Sequence, residues 1–488
     1  MMKLWVAFGA TFLATVAAKA HANDPFTRDF KEFANCTIDQ WKVPGMAIAV
    51  IDGDEIYSEL AQGWQTPIST IIRDDFVLQD EWATNHVTLE DAVSHRTGMG
   101  AHDLAWPTEI DGRPATLRDI VRNVRNFPLS LEPRVQFYYS NFMFVVLSHV
   151  IETLTGRWLG DVFKDVIWDP LGMNTTYMSL ENATHAPVPL ATSYQWVEGG
   201  EKYVELPFLS VDTVSGAGGI ISSVADFVKW LQCLIHETKP FSEKVHQDIR
   251  TPRMLFSTAT GSELDIRLYA LGWIRTMLHG NVAYVHTGST YTNEALIWWF
   301  PDLKYGVVAL GNGGGTSNFA EQIIVTRLIE EKLQVPSATW PELGDQLKEE
   351  LALSKEAGAQ ASQILFPNQP ETPVPPPVLP SELAGKFFNE AYGTFEFVLQ
   401  TEPDELNKIV LIAERADVVF GQEWRLQHVS GDYWALSVNY LGNETFVAEF
   451  HAGKFIIGVD DEVERFEVNF VDQSEEISLG TKLFHKIA

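Results

Sequence analysis

The chain of 488 residues is long enough for two or three domains, and 45% hydrophobic residues suffice for a sizeable buried core. Its 65 acidic and 35 basic residues give a formal net charge of −30, which repels phosphate backbones and anionic lipid head groups. A nucleic-acid partner is therefore not expected.

The N-terminus has the pattern of an export signal. Lys3 precedes an apolar run over residues 4–18, and small-residue cleavage patterns end at Ala20 and Ala22. We therefore expect a signal peptide at residues 1–22 and a secreted protein. A short membrane anchor is the alternative, although the run is shorter than the about 20 residues that a span needs. The rest of the sequence predicts no membrane span.

In a secreted protein, the cysteines and the Asn-x-Thr tripeptides can be modified. Cys36 and Cys233 are the only cysteines, so a disulfide scaffold is not expected, while a single bridge and two buried thiols both remain open. Four Asn-x-Thr tripeptides would permit glycosylation if the secreting cell is eukaryotic, namely those at Asn35, Asn174, Asn182 and Asn443.

The elements up to residue 340 predict mixed helices and strands. Aromatic residues between Phe26 and Trp41 predict an amphipathic helix, and residues 46–57 predict a hairpin that opens a sheet. A helical region begins at Thr88, and Ser223 has the pattern of a helix cap. Further helices are predicted at 117–125, 142–154, 159–167 and 319–333, and strands at 269–277, 282–287, 293–300 and 305–311.

This order of elements predicts an α+β fold for residues 23–340, with an antiparallel sheet flanked by helices and a helical subdomain. Residues 341–380 have a helical pattern followed by a linker with seven prolines between Pro367 and Pro380. Beyond the linker, apolar residues alternate with polar or small ones, as at 434–440 and 466–470. We expect a small antiparallel β-barrel at 381–488.

Two short motifs lie on the elements of the α+β domain. Tyr139-Ser140-Asn141 precedes a predicted helix, and His286-Thr287-Gly288-Ser289 ends a predicted strand. With Val43-Pro44-Gly45-Met46, Ser94-His95-Arg96-Thr97-Gly98 and Asp169-Pro170-Leu171-Gly172-Met173, they resemble the serine β-lactamase and penicillin-binding-protein family, in particular its class C β-lactamase-related branch, peptidase family S12. The resemblance covers residues 24–335 and implies a β-lactamase/transpeptidase-like fold.

The resemblance also implies roles for individual residues. Tyr139 would shuttle a proton beside a nucleophilic serine, and Asn141 would donate a hydrogen bond to the substrate carbonyl. His286 takes the place of the more usual lysine and would supply charge or a hydrogen bond near neutral pH. Thr287, Gly288 and Ser289 would contact the substrate, with the Ser289 amide as half of an oxyanion hole.

The nucleophile of this family is missing from the chain. Family members carry Ser-x-x-Lys, yet no lysine here has a serine three residues before it. The order of the surviving motifs places the break near residues 57–63. Ser94, Ser215 and Ser289 are candidates for a different nucleophile, although none has a lysine one helical turn away.

We therefore expect a secreted β-lactamase-related serine hydrolase that acts by ancestry on amide or ester bonds through an acyl-enzyme, but does not turn over as written. The expected partner is a small molecule or peptide with such a bond, without a cofactor. The sequence lacks the motifs of zinc enzymes, and a metal site at His95 and His102 is not favoured. The alternative function is a secreted non-catalytic protein of the same fold that binds a ligand of the family's type.

Overall fold

A computed structural model describes Arg28 and residues 45–52, 55–197, 202–259, 264–315, 317–339, 343–401, 409–442 and 449–488. The predicted signal peptide, most of the predicted N-terminal helix, Cys36, Asn35 and Asn443 lie outside these residues. Within the described part of the chain, no helix combines the length and the apolarity needed to cross a membrane.

The N-terminal hairpin is formed by β1 (Gly45–Asp52) and β2 (Glu55–Gln62), which pair antiparallel in a sheet of two strands. The hairpin predicted at 46–57 is therefore present, and among the described strands it forms a sheet of its own. The chain continues from β2 directly into the helical region. Two short ribbons lie within the helical region. The two-residue strands β3 (Glu109–Ile110) and β4 (Arg113–Pro114) pair with each other, as do the five-residue strands β5 (Ser193–Val197) and β6 (Lys202–Leu206).

The main sheet has six antiparallel strands in the order β12-β11-β10-β9-β8-β7. The predicted strand at 269–277 is two strands, because Gly272 adopts a positive φ of 77° and a turn joins the Ala270 amide to the Trp273 carbonyl. The strands are β7 (Met254–Ser257), β8 (Arg267–Tyr269), β9 (Ile274–Leu278), β10 (Asn281–Ser289), β11 (Glu294–Phe300) and β12 (Tyr305–Gly311).

Helices cover both faces of this sheet. The helix Ser317–Leu333 packs Val325 and Ile329 against one face, while the other face meets the main core through Trp273 and Trp299. The remaining helices of the domain are Glu81–His86, Leu89–Val93, Leu117–Asn123, Asn141–Thr155, Leu159–Phe163, Asp169–Leu171, Leu180–Thr184, Ser215–Gly218, Val224–His236 and Glu243–Arg250.

The sequence explains the start of the helix Val224–His236 and the end of the helix Asn141–Thr155. The predicted cap Ser223 accepts a hydrogen bond from the Asp226 amide, and the helix that follows buries Phe227 and Trp230. The helix Asn141–Thr155 is buried over most of its length and ends at Gly156, whose left-handed φ of 67° stops it. This buried helix carries one catalytic-type motif at its N-terminus, so the core fixes the position of that motif.

The C-terminal region is a closed antiparallel barrel of eight strands. It follows the helices Leu343–Ala359, Ala361–Leu365 and Pro380–Leu383, the first two before the proline-rich segment and the third at its end. Its strands are β13 (Gly385–Asn389), β14 (Gly393–Thr401), β15 (Ile409–Arg415), β16 (Gln422–Ser430), β17 (Tyr433–Tyr440), β18 (Glu449–Ile457), β19 (Val463–Asp472) and β20 (Ile477–Ile487).

A buried carboxylate holds two loops of the helical region together. Asp91 caps the helix Leu89–Val93 through Thr88 and also accepts hydrogen bonds from Arg96 at 2.6 Å and from Arg134 at 2.8 Å. Burial by itself would raise the pKa of Asp91, but the hydrogen bonds from Arg134 and Thr88 and the charge of Arg96 lower it below its ordinary value.

We predict that Asp91→Asn destabilises the protein by about 3 kcal/mol at pH 7, because it leaves two arginines without their buried partner. A lowered carboxyl pKa contributes stability that is present above the unfolded value and is lost as pH falls through the folded one. The difference in the free energy of unfolding between the parent chain and Asp91→Asn, measured by urea denaturation, should therefore shrink as the pH falls below about 4.

Asp119→Asn is the matched control, since Asp119 also caps a helix and pairs with an arginine, Arg113, but at the surface. Its cost should be about 1 kcal/mol. An Asp91→Asn variant that is no less stable than Asp119→Asn would contradict this account of the buried carboxylate.

Candidate active site

The loop after Asp91 is fixed against the chain that leads into the helix Asn141–Thr155. The Tyr138 amide donates to the His95 carbonyl at 2.8 Å, and the Ser130 amide donates to the Gly98 carbonyl at 2.9 Å. Gly98 has a φ of 76°, and a Cβ at this position would lie 2.0 Å from the Leu131 carbonyl oxygen. Only glycine fits this close approach.

His95 itself points into the junction of the two segments. Its Nδ1 accepts a hydrogen bond from the Ser140 amide at 3.1 Å, so the proton of the neutral ring is on Nε2. Nε2 is buried and has no hydrogen-bond partner within the described part of the chain. Burial, followed by the charge of His286, lowers the pKa of His95 well below its ordinary value, so the ring is neutral at physiological pH.

His286 lies on β10 in the same cluster of rings. Its Nδ1 lies 2.8 Å from the Thr287 carbonyl oxygen, to which it donates, so Nε2 accepts from the Tyr269 hydroxyl at 3.0 Å. The side chain is buried, and burial lowers the pKa of His286 to about 4. Of the two roles expected for His286, the geometry therefore favours a hydrogen bond over a positive charge at neutral pH.

Tyr139 stands between the two histidines. Its ring centroid lies 4.1 Å from that of His95 and 6.3 Å from that of His286. Tyr139 keeps part of its surface exposed, but its neighbourhood is dense enough that burial, followed by the Asp103 carboxylate, raises its pKa well above the ordinary value. The phenol is therefore protonated at neutral pH, and in this arrangement it is a hydrogen-bonding group and not a base.

Asn141 is the first residue of the buried helix and lines a cleft. Its side-chain amide donates to Asp103 Oδ2 at 2.6 Å. Sequence reasoning did not find Asp103, because its contact with Asn141 spans 38 residues and no local pattern marks it. The Asp103 carboxylate orients the amide that the family resemblance assigns to the substrate carbonyl.

The cleft has a volume of about 520 Å³ and is lined mainly by apolar side chains. Asn141, Gly288 and Ser289 line it, whereas Tyr139, His286 and Thr287 do not. Thr287 Oγ1 is buried without a hydrogen-bond partner among the described residues. The structure therefore divides the residues of the two motifs between a cluster of buried rings and an open cleft.

The three alternative serines differ in their access to this cleft. Ser94 is buried and donates to the Glu90 carbonyl at 2.6 Å, and Ser215 is buried at the start of a short helix. Ser289 alone among the three lines the cleft, and its hydroxyl donates to Glu294 Oε1 at 3.0 Å. Neither Lys nor Arg is among the residues that line the cleft.

Several other predicted features can be located. The Nδ1 atom of His102 lies 2.9 Å from the Tyr392 hydroxyl, whereas that of His95 accepts from the Ser140 amide. The described residues contain no group of three or more His, Cys, Asp or Glu that could hold a metal ion. Cys233 is a buried thiol whose pKa burial raises to about 11. Asn174 and Asn182 are exposed, and their glycosylation stays a prediction.

Two carboxyl groups lie behind the Ser289 end of the cleft, and sequence reasoning missed both. Glu294 lines the cleft and accepts from the Asn318 amide at 2.5 Å. Glu321 is buried, and its carboxyl group lies beside the Gly311 backbone, whose hydrogen bond lowers the pKa less than burial raises it. Burial, together with the charge of Glu294, raises the pKa of Glu321 to about 8.

This carboxyl pair predicts a specific dependence of stability on pH. Between about pH 4.5 and 8 Glu321 is ionised in the unfolded chain and protonated in the folded one, so stability falls as pH rises through this window. The free energy of unfolding of Glu321→Gln, measured by thermal or urea denaturation, should fall by about 1–2 kcal/mol less than that of the parent chain over the same window.

Glu331→Gln is the matched control, because Glu331 lies on the same helix and forms a surface ion pair with Arg327. It should keep the pH dependence of the parent chain. If Glu321→Gln also keeps it, the assignment of a proton to buried Glu321 is wrong.

Comparisons with known proteins agree with this architecture. Residues 64–330 match the sequence profile of the family described as Beta-lactamase, and the match begins immediately after the predicted break near residues 57–63. An unguisins hydrolase of Aspergillus campestris is 33% identical over 480 residues, covering 88% of each chain. An unguisins hydrolase of Aspergillus violaceofuscus is 32% identical over 498 residues, covering 89% of this chain and 87% of that protein.

Among solved structures, a penicillin-binding protein homologue of Pyrococcus abyssi is 16% identical, with coverage of 93% of this chain and 99% of that one and a TM-score of 0.48. The family profile matches more than half of the chain, and the two fungal relatives match most of it. On these matches, the chain belongs to the serine β-lactamase-like family of hydrolases.

Proposed function

We propose that the protein is a member of this hydrolase family directed to amide or ester bonds, and that the 488-residue chain binds such a ligand in its cleft without forming an acyl-enzyme. One observation carries the proposal: Asn141, Gly288 and Ser289 line an open cleft, while no Ser-x-x-Lys occurs in the sequence. An acyl-enzyme needs an activated nucleophile next to a base.

The state of the neighbouring groups supports the absence of turnover. His95 and His286 are neutral because burial lowers the pKa of each ring, and the pKa of Tyr139 is raised. In the family's mechanism the Tyr139 phenol would have to release and take up a proton, and its raised pKa opposes that release near neutral pH.

The cleft supports ligand binding independently of turnover. It combines apolar walls with a few directed polar groups, which is the usual composition of a small-molecule site. The side-chain amide of Asn141 is oriented by Asp103, and Gly288 allows a ligand to approach β10 closely. The relatives named unguisins hydrolases support a substrate class with a hydrolysable bond.

A fluorophosphonate probe tests the proposal, because it forms a covalent adduct with activated serines. Intact-mass spectrometry should show no adduct on this chain at pH 7, while a serine hydrolase of known activity in the same sample is labelled. Stoichiometric labelling of the chain would overturn the proposal. Ser289→Ala would then identify whether Ser289, the serine that donates to Glu294, is the labelled group.

A second candidate is an active hydrolase whose transcript contains a segment that this sequence lacks. It is favoured by the intact motifs on both sides of the break and by a family match that begins at residue 64. The mature transcript across the codons for Asp52 to Ile72 discriminates the two candidates. An additional strand and Ser-x-x-Lys would establish the second one, and a transcript that matches the sequence would exclude it.

A further inference from the structure

One wall of the cleft comes from the C-terminal barrel. Phe420 lies in the segment that joins β15 to β16, and it lines the cleft together with Trp106 from the helical region. The two ring centroids are 5.7 Å apart. Phe420 also packs against Tyr291 of the α+β domain and Tyr440 of the barrel, with ring centroids at 6.4 and 6.0 Å.

The segment that carries Phe420, residues 417–422, is here called the barrel strap. Backbone and side-chain hydrogen bonds tie it to residues 104–108: the Val419 amide donates to the Trp106 carbonyl, the Thr108 amide to the Asp417 carbonyl, and the Gln422 side-chain amide to the Leu104 carbonyl, each at 2.8 Å. Three hydrogen bonds within six residues hold this segment in register. The position of Phe420 in the cleft is therefore fixed, and it is not the result of a loose contact between domains.

Asp417 adds an anchor from within the barrel. Its carboxylate accepts two hydrogen bonds from Arg415, at 2.5 and 2.9 Å, and the Arg415 guanidinium also donates to the Tyr392 carbonyl at 2.6 Å. This bidentate ion pair holds the strap at its first residue. The barrel thus presents a rigid, preorganised surface to the cleft.

The same wall adjoins the polar end of the site. Trp106 follows the short helix Asp103–Ala105, whose Asp103 holds the Asn141 amide, and its ring packs edge-on against Phe142 at 5.6 Å. Because Asn141, Trp106 and Phe420 line the same cleft, a ligand whose carbonyl oxygen accepts from Asn141 would have Trp106 and Phe420 within reach of its neighbouring substituent. Burying a large apolar side chain against these rings is favourable, and a methyl group gains little there.

We propose that the barrel strap is part of the ligand site, and that Phe420 with Trp106 selects ligands with a large apolar side chain next to the amide or ester carbonyl. This inference rests on the proposed function, since it assumes that the cleft binds such a ligand. It assigns the barrel a direct role in specificity. The aromatic wall selects the side chain, while Asn141 and β10 hold the carbonyl end.

The test compares two probes, N-acetyl-phenylalanine amide and N-acetyl-alanine amide, each in D and L form, by isothermal titration calorimetry. The parent chain should bind the better phenylalanine enantiomer more tightly than the alanine amide, on the order of tenfold. Phe420→Ala should reduce this ratio to about threefold or less, and Phe420→Leu should give an intermediate ratio while it keeps most of the packing.

Phe388→Ala is the matched control, because Phe388 is an exposed phenylalanine on β13 of the same barrel. It should leave the ratio unchanged. Retention of the full preference in Phe420→Ala and Phe420→Leu would overturn the inference, as would failure of the parent chain to bind either amide. An adduct in the fluorophosphonate experiment would instead overturn the proposed function, and it would leave the ratio between the probes interpretable.

Discussion

The buried carboxylate of Asp91 is the interaction on which the site depends. It binds Arg96 and Arg134, which flank the loop of His95 and the segment leading to Tyr139. Arg96 and Arg253 in turn both reach Glu90, so the sheet side of the domain joins the same network. These ion pairs hold the loop in which His95 Nδ1 accepts a hydrogen bond from the Ser140 amide. This hydrogen bond fixes the start of the buried helix Asn141–Thr155.

The protonation states of the ring cluster, formed by His95, Tyr139, Tyr269 and His286, follow from its burial and from the absence of Ser-x-x-Lys in the sequence. His95, Tyr139, Tyr269 and His286 lie within 6.3 Å of their nearest neighbours in the cluster, measured between ring centroids. In family members a lysine next to the nucleophile would supply charge here. With burial as the dominant effect, the histidines lose their protons and the tyrosines keep theirs, so the cluster consists of neutral hydrogen-bonding groups.

Local patterns predicted much of the fold. Strands β10 to β12 and the helix Ser317–Leu333 lie within two residues of their predicted bounds, and a barrel follows the proline-rich segment as expected. The hairpin β1–β2 was predicted, but its separation from the six-stranded sheet and the turn at Gly272 were not, because pairing partners and a positive φ depend on distant neighbours. Both examples show that periodicity identifies an element and does not identify its partner.

The residues of the candidate site likewise fall into those that a local motif marks and those whose roles arise from distant contacts. Tyr139, Asn141, His286 and Gly288 were found through short motifs whose order could be read along the chain. Asp103, Glu321 and Phe420 have no such motif, since their roles arise from contacts with Asn141, Glu294 and Trp106. The role of the barrel is the clearest case, because alternation predicts its strands but does not indicate that the strap between two of them lines the cleft.

Restoring the nucleophile tests the central claim most directly. A strand and a Ser-x-x-Lys helix from a family member would be inserted between Tyr57 and Gly63, and the product would be compared with the same insertion carrying alanine in place of the serine. The account predicts fluorophosphonate labelling at the inserted serine only, with the surviving residues supplying the rest of the site. A folded insertion variant that is not labelled would contradict it.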